Sequence, residues 1–314
     1  MTTEAATLPR FALGGVVLAL VGVVCLSIND VAVKFLSGGY ALHEVILFRA
    51  VVGMMVLLAT MALARQPLAS LRTRRPVAQG LRVLCILASN ASYFLGLSVL
   101  PLADAVATSY VAPLLMVGLS VVALREKVGF ARWVAVLAGM AGVLVMVQPG
   151  TSAFQPAALL VLFGAFCYAL AQIMTRHLRN SETSFSLGFY TQCGFILLCI
   201  AMGLGVGDGH LAEPGDGALA FLFRPWVWPP LADYPAFLAA GCAVAIGGLS
   251  MSQAYRISET ALVAPFEYVG MPLAILWGAL VFSQWPGQSS WIGMALICGA
   301  GLWTMAAERA RRKA

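Results

Sequence analysis

Four charged side chains fall between residues 30 and 49: Asp30, Lys34, Glu44 and Arg49, with Asn29 and His43 beside them. Asp30 and Lys34 are four residues apart, a spacing that puts two side chains on one helix face and lets opposite charges pair. The group reads either as a charge-neutral clamp between two helices or as an anion site in which Arg49 or Lys34 holds a carboxylate. Glu267 stands apart, next to Tyr268 and inside an apolar run that carries no basic residue. A carboxylate in such surroundings needs a proton or a cationic partner. Glu267 is therefore a candidate for proton coupling or for binding a substrate amine, with a hydrogen bond to a neighbouring helix as the plainer role. Pro265 and Pro272 flank it and remove backbone donors, which lets a helix bend there.

Neutral polar side chains are scattered through the other apolar runs: Asn90, Tyr93, Thr108, Tyr110, Gln172, Tyr190, Gln192, Ser250 and Gln253. Facing a common cavity, they suit a substrate with a flat or amphipathic portion and polar groups. Each one taken alone serves equally as an interhelical hydrogen bond. Catalysis has little to stand on. The three histidines (His43, His177 and His210) fall at the ends of apolar runs or between them, without a nucleophile or an acid–base pair. Seven cysteines lie in apolar stretches with no CxxC pair, so neither a metal nor a disulfide framework is expected. No GxxxxGK[ST] loop is present to cradle phosphates, which argues against a primary pump, and no cofactor is expected.

The elements that position these residues follow from composition. The chain is 61% hydrophobic and 10% charged, with a mean hydropathy of +0.90. Soluble domains carry about 25% charged residues, so lipid is the solvent here and a small molecule, not a nucleic acid, is the expected partner. A spanning helix needs about 20 apolar residues. Ten such runs are expected, at 11–36, 41–64, 79–98, 102–123, 130–148, 156–177, 184–206, 235–255, 260–282 and 289–307. The class is all-α integral membrane. The 65–82 loop counts +5, the 124–132 loop +2 and the tail +3, against −3 for the long 207–234 loop. With ten spans this places the basic segments and both termini in the cytoplasm, and the 207–234 loop outside, at the bacterial inner membrane. The tryptophans of that loop suit the headgroup layer.

The chain also matches itself. At an offset of 142, Gly22, Cys25, Asp30 and Lys34 meet Gly164, Cys167, Gln172 and Arg176; at 158, Tyr110, Glu126, Gly129 and Trp133 meet Tyr268, Gln284, Gly287 and Trp291. Two halves are expected, 1–149 and 150–314, each of five helices. An odd number inverts one half against the other, and inverted repeats are a secondary-transporter architecture with the substrate site between them. The turn Arg125-Glu126-Lys127 becomes Ser283-Gln284-Trp285 in the second half, where the same turn faces the opposite side. Small residues at four-residue spacing, Ala135 and Gly139, Ala295 and Gly299, are expected to let helices pack closely within each half. A monomer or weak dimer suffices, because one chain holds both halves.

The stretch from Ala112-Pro113 through Leu124-Arg125-Glu126-Lys127, Gly129 and Ala138-Gly139-Met140-Ala141-Gly142-Val143 resembles the EamA-type repeat of the drug/metabolite transporter superfamily. The second half echoes it from Ala264-Pro265-Phe266-Glu267-Tyr268 to Gly299-Ala300-Gly301. The chain departs from the pattern at Gln284, where that family usually has Glu. The resemblance implies ten helices, cytoplasmic termini and a secondary active carrier rather than an enzyme. Its cargo would be an amino acid, S-adenosylmethionine, a nucleoside or a vitamin, with protons as a candidate coupling ion. A broad-specificity efflux carrier is the alternative. Glu267 leans the substrate toward one with a positive amine. The residues expected to line the site are Asp30, Arg49, Asn90, Tyr93, Tyr110, Gln172, Tyr190, Gln192, Ser250, Gln253, Glu267 and Tyr268, with Lys34 and Glu44 in the charge cluster.

Overall fold

The computed structural model describes residues 10–112, 114–116, 118–119, 130–148, 155–178, 181–212, 215, 217–257 and 266–313. The turn at Arg125-Glu126-Lys127, Pro113, Pro265 and residues 120–123 and 260–265 of the expected spans at 102–123 and 260–282 lie outside them. Among the described residues every regular element is helical, and six helices are long and apolar enough to cross a membrane. Ten helices occupy the ten expected positions: α1 (Arg10–Leu36), α2 (Leu42–Leu63), α3 (Pro76–Val99), α4 (Leu102–Ser109), α5 (Phe130–Val147), α6 (Ala157–Leu178), α7 (Ser184–Val206), α9 (Tyr234–Ile257), α10 (Gly270–Phe282) and α11 (Gln288–Lys313). A short α8 (Ala218–Phe223) sits in the long loop.

The start and stop signals are local. Pro76 opens α3 at a position where a missing N–H is harmless. Thr183 caps α7, its hydroxyl accepting from Ser186 N at 3.0 Å. Ser283, in the left-handed region at φ 53°, ends α10.

The tightest packing joins a helix from residues 1–149 to one from residues 150–314, and exchanging the two expected sets maps the pairs onto themselves. α1 lies on α9 as α6 lies on α3, while α2–α7, α4–α10 and α5–α11 are pairs of equivalent helices. Glycines make the approaches possible. A Cβ on Gly164 would meet Ser89 O at 2.9 Å and Tyr93 N at 3.1 Å, so α6 runs against the backbone of α3. Gly142 and Gly293 bring α5 and α11 together, each lying under 3 Å from the other's carbonyl oxygen for an added Cβ. Close packing operates across the two sets of helices, and also within residues 1–149 as expected at Gly139, where an added Cβ would meet Leu114 Cδ1 at 2.0 Å. Gly139 also abuts Ala300 of α11, but an added Cβ on Gly299 meets nothing within 4 Å.

Two expected spans are broken at matching positions. α4 ends at Ser109 and turns at Tyr110–Val111; Phe266–Glu267 is helical, Tyr268–Val269 turns, and α10 begins at Gly270. Tyr110 and Tyr268 are the residues that the 158 register equates. Three-residue bonds tighten both turns, Val111 N to Thr108 O at 3.3 Å and Met271 N to Tyr268 O at 3.1 Å. Proline supplies the reason: Pro113 and Pro272 have no N–H to offer the carbonyls of Ser109 and Tyr268 four residues earlier.

Candidate functional site

At the centre of the bundle α2 carries Arg49, 2% exposed. Its Nη1 donates to Asn29 Oδ1 on α1 at 3.3 Å and its Nη2 to Asn90 Oδ1 on α3 at 3.1 Å. The rings of Phe94 and Phe195 lie 5.1 and 5.2 Å from the guanidinium carbon, in the range of cation–π attraction. Arg49 Nε finds no partner among the described residues. Asn29 Nδ2 in turn donates to Asp30 Oδ1 at 3.1 Å, and Tyr93 OH donates to Asp30 Oδ2 at 2.9 Å. Asp30 and Arg49 are thus joined through an asparagine and do not touch directly, which leaves the opposite charges free to be bridged or separated.

A second group adjoins the first at the two broken helices. Tyr110 OH donates to Glu267 O at 2.7 Å, and the rings of Tyr110 and Tyr268 are 5.5 Å apart. Gly270 makes room: an added Cβ there would sit 2.1 Å from the Tyr110 hydroxyl. Tyr168 on α6 is 38% exposed. Trp277 Nε1 ties α10 to Ser27 of α1 at 3.2 Å.

The structure parts the expected four-residue charge cluster. Lys34 turns away from Asp30 and donates to Leu97 O at 2.7 Å and Leu100 O at 2.6 Å, capping the C-terminal end of α3, where a cation meets the negative end of the helix dipole. Glu44 faces the loop after α8, accepting from Val227 N at 3.4 Å, while His43 stacks near Trp226 at 5.7 Å. Arg224 bonds Ser37 O at 2.8 Å and Tyr40 bonds Asp233, so this loop straps the ends of α1 and α2. The reason is topological: loop carbonyls and amides reach these side chains before the neighbouring charges do.

Other expected residues fall elsewhere. Gln192 is buried and packs on Gly53 of α2. Tyr190 meets Phe189 of its own helix, Ser250 is buried in α9, and Gln253 is exposed; none bonds the network among the described residues. Sequence reading counted Arg82 as a loop charge, whereas it lies in α3 and is 9% exposed. Its position on the face of α3 that also carries Gln79, Ile86 and Asn90 was the available signal. Gln284, the departure from the family pattern, presents an amide oxygen 3.4 Å from Leu102 N at the start of α4.

Comparison with known proteins fits this geometry. Residues 13–148 match the EamA-like transporter family. The chain is similar to the S-adenosylmethionine uptake transporter of Rickettsia prowazekii, 26% identical over 95% of this chain and 94% of that one. It is similar to the riboflavin transporter of Rhizobium johnstonii, 29% identical over 80% and 77%, and to the pseudopaline exporter CntI of Pseudomonas aeruginosa, 25% identical over 90% and 93%. A solved crystal structure shares the fold with a TM-score of 0.66 at 20% identity, over 95% of this chain and 98% of that chain. The paired helices and the polar centre between them accord with these likenesses, and residues 13–148 carry the match to the EamA-like transporter family.

Proposed function

We propose that this protein is a secondary active transporter that carries a small polar or amphipathic metabolite across the inner membrane by alternating access, with both termini in the cytoplasm. The observation that carries the reading is the Arg49 network: a buried guanidinium held by two amide oxygens and two aromatic faces, with Asp30 one residue removed, at the place where helices of both halves meet. Burying a charge without a carboxylate partner is costly, and a ligand carboxylate offsets that cost. Asp30 and Glu267 supply negative charge close by for an amine or another cation. The pair suits a zwitterion such as an amino acid or S-adenosylmethionine. Tyr93, Tyr110, Tyr168 and Tyr268 offer faces for a flat portion. The likeness to an S-adenosylmethionine uptake transporter supports this class, and the likeness to a riboflavin transporter supports one with a planar ring. Glu267 is the candidate for proton coupling. Export is the second reading for direction, favoured by the likeness to a pseudopaline exporter.

The test is counterflow in proteoliposomes loaded with S-adenosylmethionine, amino acids or riboflavin in turn. Saturable uptake with transient accumulation above equilibrium supports a carrier. Linear, unsaturable flux for every probe that enters would remove it.

A further inference from the structure

Arg82 is a further buried cation with no carboxylate partner among the described residues. Arg82 Nε donates to Thr175 Oγ1 of α6 at 2.6 Å, and its Nη1 to Thr191 Oγ1 and Leu187 O of α7 at 3.1 and 3.3 Å. Both threonine hydroxyls spend their own protons on backbone carbonyls, Ala171 O and Leu187 O, each at 2.8 Å. They act only as acceptors toward Arg82. The guanidinium is therefore surrounded by dipoles alone, and its Nη2 donates to no described residue. One turn away on the same face of α3, Gln79 is 2% exposed, and neither its Nε2 nor its Oε1 has a partner among the described residues. A buried amide left unpaired at both ends costs free energy, and so does a buried cation met only by neutral groups. Gln79 and Arg82 are three residues apart on one face of α3, and their needs are complementary. An anionic oxygen satisfies Arg82 Nη2 and Gln79 Nε2 together, and an N–H or O–H on the same ligand satisfies Gln79 Oε1.

The face that carries them leads inward. Gln79, Arg82, Ile86, Asn90 and Tyr93 follow one another at three- and four-residue steps. Gln79 and Asn90 are thus about 16 Å apart along the axis of α3, and Asn90 is a ligand of Arg49. We propose that Gln79 and Arg82 form a second binding station for the carboxylate or phosphate end of the transported molecule, nearer the α3 N-terminus than the Arg49 site. The station rests on the carrier reading for its purpose, but its affinity for anions is a property of the two side chains.

Charge-selective labelling tests it without knowledge of the cargo. Gln79→Cys is treated with a sulfonate-bearing and a trimethylammonium-bearing methanethiosulfonate, and modification of that one cysteine is followed by peptide mass spectrometry. The station requires the anionic reagent to react about tenfold faster. Arg82→Gln in the same background should bring the ratio to about one, and Arg82→Lys should preserve it. An unreactive Cys at position 79, or equal rates with Arg82 in place, makes the guanidinium a helix clamp and overturns the proposal. Should Arg82→Gln fail to fold, the ratio in the Arg82 and Arg82→Lys proteins decides. Counterflow measured alongside separates the two ideas. Charge selectivity with linear flux keeps the station and removes the carrier; saturable flux with equal rates does the reverse.

Discussion

The Tyr110 hydroxyl donates to the backbone carbonyl of Glu267 across 2.7 Å, so the break in one half is fastened to the break in the other. This bond joins two turns that prolines leave short of backbone donors, and it holds the backbone of the residue that carries the Glu267 carboxylate. Tyr110→Phe removes it at little cost in packing. The loss of one partly buried hydrogen bond is expected to lower stability by about 1 kcal/mol. A larger effect is expected on transport, with pH dependence altered because Glu267 is no longer held. A Tm and a pH–flux profile on the same preparation check both; an unchanged profile would detach the hinge from the carboxylate.

Glu267→Gln keeps the size and hydrogen bonding of the side chain and removes its charge. Transport, or its dependence on pH, should be lost while expression and Tm stay near wild type. Unchanged flux at every pH would take Glu267 out of the mechanism.

Arg49→Lys retains the charge but not the planar fork that reaches Asn29 and Asn90 together, nor the flat face set against Phe94 and Phe195. Counterflow should fall at least about tenfold, the equivalent of about 1.4 kcal/mol. Wild-type flux in Arg49→Lys would show that a point charge suffices.

Lys34→Met leaves two carbonyls at the end of α3 without their donor. A hydrogen bond from a charged group contributes about 1.5–3 kcal/mol, so a clear drop in Tm is expected, while the folded fraction binds substrate with unchanged affinity. A change in affinity at constant Tm would return Lys34 to the binding site.

Glu182, in the loop before α7, is drawn up by burial. Hydrogen bonds from Thr73, the Arg74 amide and Ser186 outweigh that and hold it below its ordinary value of 4.5. Because the folded form is the more acidic, its contribution to stability is present above pH 4.5 and is lost as pH falls below it. Glu182→Gln should flatten the acid limb of Tm against pH. An acid limb identical to wild type would show that other carboxylates control it.

Much of the fold was legible because lipid allows so few solutions: long apolar runs must be helices, and their breaks fall at Gly and Pro. The register that equates Tyr110 with Tyr268 even marked the two turns, and the prolines beside Glu267 announced a bend there, while the break at Tyr110 was not expected. The site was less legible. Asp30 and Lys34 share a helix face, but the free carbonyls of Leu97 and Leu100, distant in sequence, claim the ammonium. Arg82 was hidden by its neighbours, since a run of arginines reads as a solvated loop until the helix is known to begin at Pro76. Tyr190 and Gln253 look like Tyr93 and Gln172 in sequence, and only the rotation of each helix tells them apart.

The exchange of partners between halves has a consequence for how the protein is made. α1 ends at Leu36 and its main partner, α9, begins only at Tyr234. On the ribosome, α1 through α3 enter the bilayer long before the surfaces they will rest on exist. Until then Arg49 and Asp30 must be sheltered by lipid defects, by one another, or by the insertion machinery. A chain halted between α5 and α6 would lack the principal packing partners of α1, α2, α3, α4 and α5.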